Sequence, residues 1–206
     1  MKDAAPIDPN AHPPQSRGTA TVQPGPYRPL PDVASLRAAV RGDWNVHGRR
    51  VEPAFVAMAT FRFGQWAISR QRRWARTLAN KFYGLLNFFV TPWTRVFMPP
   101  QTRIGKDFHI IHCEGSISIH PGAVIGDRLG VMHNVTIGTN MGPEAPVIGD
   151  DVFIGVNSCV LGGIRIGNRV RIGANTAVTT DVPDDCIAVG SPARIVRRLG
   201  PLSRGA

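Results

Sequence analysis

Two histidines, His112 and His133, are the groups best placed by type and spacing to move a proton near neutral pH, where imidazole changes charge. His112 falls two places after Ile110, and His133 two places after Val131. Ile110 and Val131 belong to a six-residue rhythm of Ile and Val that has one three-residue interruption between them. The separation is therefore 21 − 3 = 18 residues, or three repeats. If three repeats make one turn of the chain, the two rings share a corner, one above the other. A neutral imidazole there can accept the proton of an attacking alcohol, which is general base chemistry. His112 is the first choice for that role, while His133 is equally readable as a plain corner residue. A zinc site would need a third ligand. Neither His120, in a His-Pro-Gly-Ala corner, nor His109, expected on the outside, supplies one, so no metal is expected. His12 and His47 have no chemical context in the sequence.

The rhythm that would position these rings runs over residues 104–178. Ile or Val occupies 104 and 110, then 119, 125, 131 and 137, then 148, 154, 160, 166, 172 and 178, each series stepping by six. Glycine follows seven of the twelve, among them Gly105, Gly126 and Gly155. A period of six fits neither an amphipathic helix nor an alternating strand. It fits a short strand and a tight corner, with glycine easing the corner, so that three units close a triangular coil and twelve give about four. Insertions into such a coil emerge as loops. Three extra residues follow Ile110, around His112-Cys113-Glu114-Gly115, and five follow Ile137, which makes residues 139–146 a loop expected to arch beside the histidine corner.

The rest of the chain reads differently. Eight prolines in the first 31 residues mark 1–32 as a flexible, disordered leader with little to bury. Residues 33–98 have helical spacing, with helices expected over 34–40, 53–70 and 72–90, the last ended by Pro92. This segment holds eleven Arg or Lys against Asp43 and Glu52, and all four tryptophans; the 99–183 coil is nearly balanced at six against seven. The basic, aromatic helices suit either a cap whose aromatics pack on the next domain and on neighbouring subunits, its arginines solvated, or peripheral attachment to an anionic membrane. No nucleic acid is expected, because no binding motif accompanies the charge. Residues 184–206 are a tail. Three cysteines without a CxxC pair argue against disulfides and thiolate zinc. With no basic, apolar signal segment and no apolar run near the ~20 residues of a spanning helix, a cytoplasmic protein is expected, at most at the inner membrane face.

Residues 103–196 resemble serine acetyltransferase and its relatives encoded with polysaccharide genes. The resemblance is carried by Arg103-Ile104-Gly105, Ile110-Ile111-His112, Val135-Thr136-Ile137-Gly138, Ile172-Gly173-Ala174-Asn175 and Gly190-Ser191-Pro192-Ala193-Arg194. Phe61-Arg62-Phe63-Gly64 and Trp66 look like the short helical domain of the polysaccharide branch. The resemblance implies a left-handed coil, an acetyl-CoA-dependent O-acetyltransferase and a homotrimer with acetyl-CoA in the groove between subunits. His112 takes the catalytic place; Glu114 is the first choice to orient it, with Asp107 or a backbone carbonyl as the alternatives. Thr139, Val156 and Ala174 would line the pantetheine arm, and Arg171 and Arg194 would approach the phosphates.

Departures from the serine enzymes bear on the acceptor. Phe97 stands where they carry a carboxylate, Ile111 where they carry an aspartate, and Ala145 where a histidine precedes the loop proline; the loop after His112 is one residue longer. The expected reaction is therefore acetylation of a sugar hydroxyl of an exopolysaccharide precursor, free or lipid-linked. Serine O-acetylation for cysteine synthesis is the alternative, and a non-catalytic scaffold or a metal-dependent hydratase is the alternative from another class.

Overall fold

The computed structural model describes residues 30–198 other than residue 113. Most of the expected leader, Cys113 and the end of the tail lie outside the described residues.

Three helices come first. α1 (Val33–Val46) starts at a capping box, in which Asp32 accepts from the Ser35 N–H at 2.7 Å and Ser35 Oγ accepts from the Asp32 N–H at 3.2 Å. It runs six residues beyond the expected end at Val40 and stops just before Gly48, which has φ +66°. α2 (Pro53–Ile68) begins on the proline whose missing N–H a first helical turn does not need. α3 (Arg73–Thr94) does not end before Pro92 but continues through it. So close to the C-terminus the proline forfeits one hydrogen bond and interrupts only the last turn. Arg95, with φ +56°, then closes the helix by donating to the Thr91 carbonyl at 2.7 Å.

The remainder is a left-handed parallel β-helix. Its first coil is β1 (Val96–Phe97), β2 (Arg103–Ile104) and β3 (His109–Ile110); its second is β4 (Ile117–Ile119), β5 (Val124–Ile125) and β6 (Gly130–Val131). The third is β7 (Val135–Gly138), β8 (Val147–Ile148) and β9 (Phe153–Ile154), and the fourth β10 (Cys159–Leu161), β11 (Arg165–Ile166) and β12 (Arg171–Ile172). A last turn adds β13 (Ala177–Val178), a bridge at Val182 and β14 (Cys186–Val189), on which β15 (Arg194–Arg198) folds back antiparallel. The first, second and third strands of successive coils stack into sheets A, B and C. All twelve Ile and Val positions of the rhythm are buried, as is Met58 of α2, which joins the same core from the end of the prism.

The glycines after the ladder residues, Gly138 apart, do a different job from the one expected. The left-handed corners belong to Asp107, Arg128, Asp151, Arg169 and Asp185 between sheets B and C, and to Asn134, Asn157 and Asn175 between sheets C and A, with φ between +54° and +59°. Asn and Asp tolerate that conformation by bonding locally. Glycine is needed instead for the close stacking of coils: a Cβ on Gly155 would lie 2.7 Å from the Ala174 nitrogen one coil on.

A buried ion pair ties the helices to this frame. Arg62 of α2 meets Asp43 of α1 at 2.9 Å and also donates to the carbonyls of Ile104 and Gly105, at 3.2 and 2.7 Å. Every charge-bearing atom of the pair is thus compensated where it is taken from water.

Candidate active site

The register of sheet C fixes the C–A corner. Ile110 pairs with Val131, Val131 with Ile154 and Ile154 with Ile172. Two residues on from each, His112, His133, Val156 and Ala174 form one column. The rings of His112 and His133 are stacked as the spacing implied, with centroids 6.2 Å apart and planes at 71°.

His112 has half its side chain open to solvent, so a substrate can reach it. Its Nδ1 lies 3.7 Å from Glu114 Oε2, close enough for charge attraction but long for a hydrogen bond. His133 is half-buried, and its Nδ1 is buried without a hydrogen-bond partner among the described residues. A buried ring nitrogen left unpaired is costly. Beside the column, Asn134 accepts from the Ser116 N–H and donates to Asn157, and Asn157 donates to Asn175, at 3.0, 2.9 and 3.2 Å. This asparagine ladder fixes the backbone on which the histidines sit.

The other expected site residues are more scattered. Val156, half-buried, and exposed Ala174 continue the histidine column. Thr139 does not: it starts the 139–146 loop, which leaves after β7 at the A–B corner. The expectation that this loop stands beside the histidines is therefore corrected. One six-residue step separates Val131 from Ile137, and one step is one corner. The loop leans on its own corner instead, with Ala145 packed on the core and Met141 almost fully exposed. Arg171 points outward from sheet C and donates to the Asp151 carbonyl at 2.7 Å, while Arg194 is exposed on β15. Within one chain neither arginine shares the histidine corner.

Two histidines gain a setting that the sequence did not signal. His47, at the end of α1, accepts from the Ile110 N–H at 3.3 Å, so its other nitrogen, Nδ1, donates to the Asp43 carbonyl at 2.7 Å. This ring occupies an edge donor of sheet C two residues before His112. Its partner is 63 residues away, beyond the reach of any local pattern. His109 packs edge-on against His47 at 5.2 Å; burial first, then the nearby His47 and His112, hold its pKa below the ordinary value.

A cavity of about 510 Å³ lies elsewhere, between α1 and the B–C corner, lined by Ala38, Asp43, Arg62, Lys106 and Asp127 among others. It holds no histidine. Among the described residues no group of three or more His, Cys, Asp or Glu side chains could hold a metal ion.

Comparison with known proteins agrees with the geometry. Residues 145–180 match the family described as bacterial transferase hexapeptide (six repeats). The chain is 33% identical over 151 residues to a serine acetyltransferase of Synechococcus elongatus, covering 72% of this chain and 59% of that protein. The soybean serine acetyltransferase apoenzyme superposes with a TM-score of 0.65 at 32% identity, over 79% of this chain and 69% of that one. The soybean enzyme complexed with serine gives a TM-score of 0.60 at 33% identity, over 79% and 70%. The chain belongs to the serine acetyltransferase-like family of hexapeptide-repeat proteins. It spans less than two thirds of the length of the curated family members it matches. Of the three positions at which it departs from the serine acetyltransferase pattern, Phe97 is more than half exposed on β1, Ile111 is half-buried directly before His112, and Ala145 packs on the core.

Proposed function

We propose that this chain is an acetyl-CoA-dependent O-acetyltransferase with His112 as general base, and that its acceptor is the hydroxyl of L-serine. The observation that carries the reading is the solvent-open His112, stacked on His133, at the corner of a coil shared with serine acetyltransferases. The acceptor hydroxyl gives its proton to the free imidazole nitrogen as its oxygen attacks the thioester carbonyl. The oxyanion collapses, the C–S bond breaks, and the imidazolium returns the proton to the departing coenzyme A thiolate. Glu114 would hold the other ring nitrogen, and His133 would stand beside the reacting groups. Val156 and Ala174, continuing the column, are read as the wall for the pantetheine arm.

Thr139 and the 139–146 loop leave a different corner, so one chain alone presents an open site. A homotrimer about a threefold axis, which sets the corner of one copy against another copy, is the assembly this separation favours. Arg171 and Arg194 are read as phosphate partners across that groove.

A sugar hydroxyl is the second reading of the acceptor. The relatives named above carry the serine name, but Phe97, Ile111 and Ala145 replace three polar positions that would serve a small zwitterion. Coenzyme A release from acetyl-CoA, measured with L-serine and with nucleotide sugars and lipid-linked saccharides, separates the two. Turnover with serine alone supports the first reading; turnover with saccharides alone transfers the proposal to the second. No turnover with any of them leaves a binding scaffold as the better account.

A further inference from the structure

The outermost helix, α3, is apolar on two faces. On one, half-buried Ala79, Tyr83, Leu86 and Val90 turn inward, and Tyr83 stands over Gly64 of α2, where a Cβ would come within 2.6 Å of the ring. On the other, Trp74, Leu78, Phe82, Leu85, Phe89 and Trp93 recur at spacings of four, four, three, four and four, which is one stripe along a helix. Each of these six is more than half exposed, and Phe88 beside them is 71% exposed. Monomeric proteins seldom leave so continuous an apolar surface in water.

The charge around the stripe indicates what covers it. Between Glu52 and Asp107 the chain has nine Arg or Lys and no acidic residue. Arg62 is spent on Asp43. Arg72, Arg73, Arg76, Lys81 and Arg95 are exposed on α3 or at its ends. Two α3 stripes packed together would oppose like charges with no acid on either helix to offset them. An anionic surface is the complement, and tryptophan and phenylalanine are the side chains that settle at the boundary of headgroups and acyl chains. No described helix is long and apolar enough to cross a membrane.

We propose that α3 lies flat in the headgroup layer of an anionic lipid membrane, its aromatic stripe turned into the acyl boundary and its arginines on lipid phosphates. At ~1.5 Å per residue the helix offers a contact of roughly 33 Å. The proposal does not depend on acetyl transfer, and its test involves no turnover.

The full chain is floated with vesicles of phosphatidylcholine alone and of equimolar phosphatidylcholine and phosphatidylglycerol. It should rise with the mixture, stay behind with phosphatidylcholine, and be released when salt is raised to about 1 M, where charge is screened within ~3 Å. Replacing two of the aromatics (Phe88→Ser with Phe89→Ser) should weaken partition at least about tenfold, and so should reversing two charges (Arg73→Glu with Arg76→Glu). If wild-type protein fails to float with the anionic vesicles, or floats equally with both compositions, the proposal is overturned. If Phe88→Ser with Phe89→Ser dissociates an oligomer in sedimentation and wild type binds no lipid, the stripe belongs to a second copy.

Discussion

At the B–C corner the second residue after each ladder position is Lys106, Asp127, Asp150 and then Asn168; at the C–A corner it is His112, His133, Val156 and then Ala174. The backbone is nearly the same in both places, with the next residue left-handed at most of the turns. At B–C the side chains satisfy one another. The N–H groups of Lys106, Asp127 and Asp150 donate to the carboxylate or amide oxygen one coil on, each at 2.8 Å, and Asn168 donates to Asp184 at 2.9 Å. Arg128 and Arg169 close the corner on Asp151 and Asp185, each at 2.6 Å. At C–A the first two coils hold imidazoles at that position, one half-open to solvent and one with a buried nitrogen that has no partner among the described residues. A corner so closely hydrogen-bonded from coil to coil is architecture. A corner that leaves titratable groups unmatched has them available for something else.

The contrast can be broken by substitution, beginning with the anchor of the B–C side. Arg62→Ala leaves Asp43 buried and uncompensated and frees two carbonyls of the first coil, so unfolding free energy should fall by roughly 3–5 kcal/mol in denaturant titration. Next in size, Asp150→Ala strips the acceptor from the Asp127 N–H. A loss of about 1–3 kcal/mol is expected, with turnover per folded molecule unchanged. A clear fall in turnover there would show that the B–C corner also serves the chemistry.

A smaller effect is expected from pH. Because the folded pKa of His109 is depressed, the unfolded chain takes up the proton more readily, and its contribution to stability is full above the ordinary histidine value of about 6.5 and lost as pH falls from there through the lower folded value. The Tm of wild type should drop between about pH 7 and about pH 5 more than that of His109→Gln. Smallest of all, Arg128→Ala removes an ion pair whose side chains are 48% and 40% exposed, and water should limit the change to about 1 kcal/mol or less.

Much of this was legible in the residues. The Ile and Val rhythm has one physical meaning, a ladder of inward side chains, and the histidine column followed from counting along it. The role of the glycines was not legible, because approach of the next coil and a left-handed φ both favour glycine, and only the stacked coils tell them apart at Gly155. Pro92 misled because a helix tolerates proline when a single turn remains beyond it. The place of the 139–146 loop is legible in the sequence, since the same count that stacks His133 on His112 puts Ile137 one corner further on. His47 could not have been found, because its partner at Ile110 is fixed only when α1 docks on the coil.

The most direct test of the C–A corner is coenzyme A release by His112→Ala and by His133→Val, the latter installing the residue that the next coil carries at Val156. For His112→Ala the account predicts a kcat lower by roughly a hundredfold to ten-thousandfold with Tm essentially unchanged. For His133→Val it predicts lowered turnover with equal or higher Tm, because an unpaired buried nitrogen is removed. Undiminished turnover in His112→Ala would contradict the claim that this corner carries the reaction.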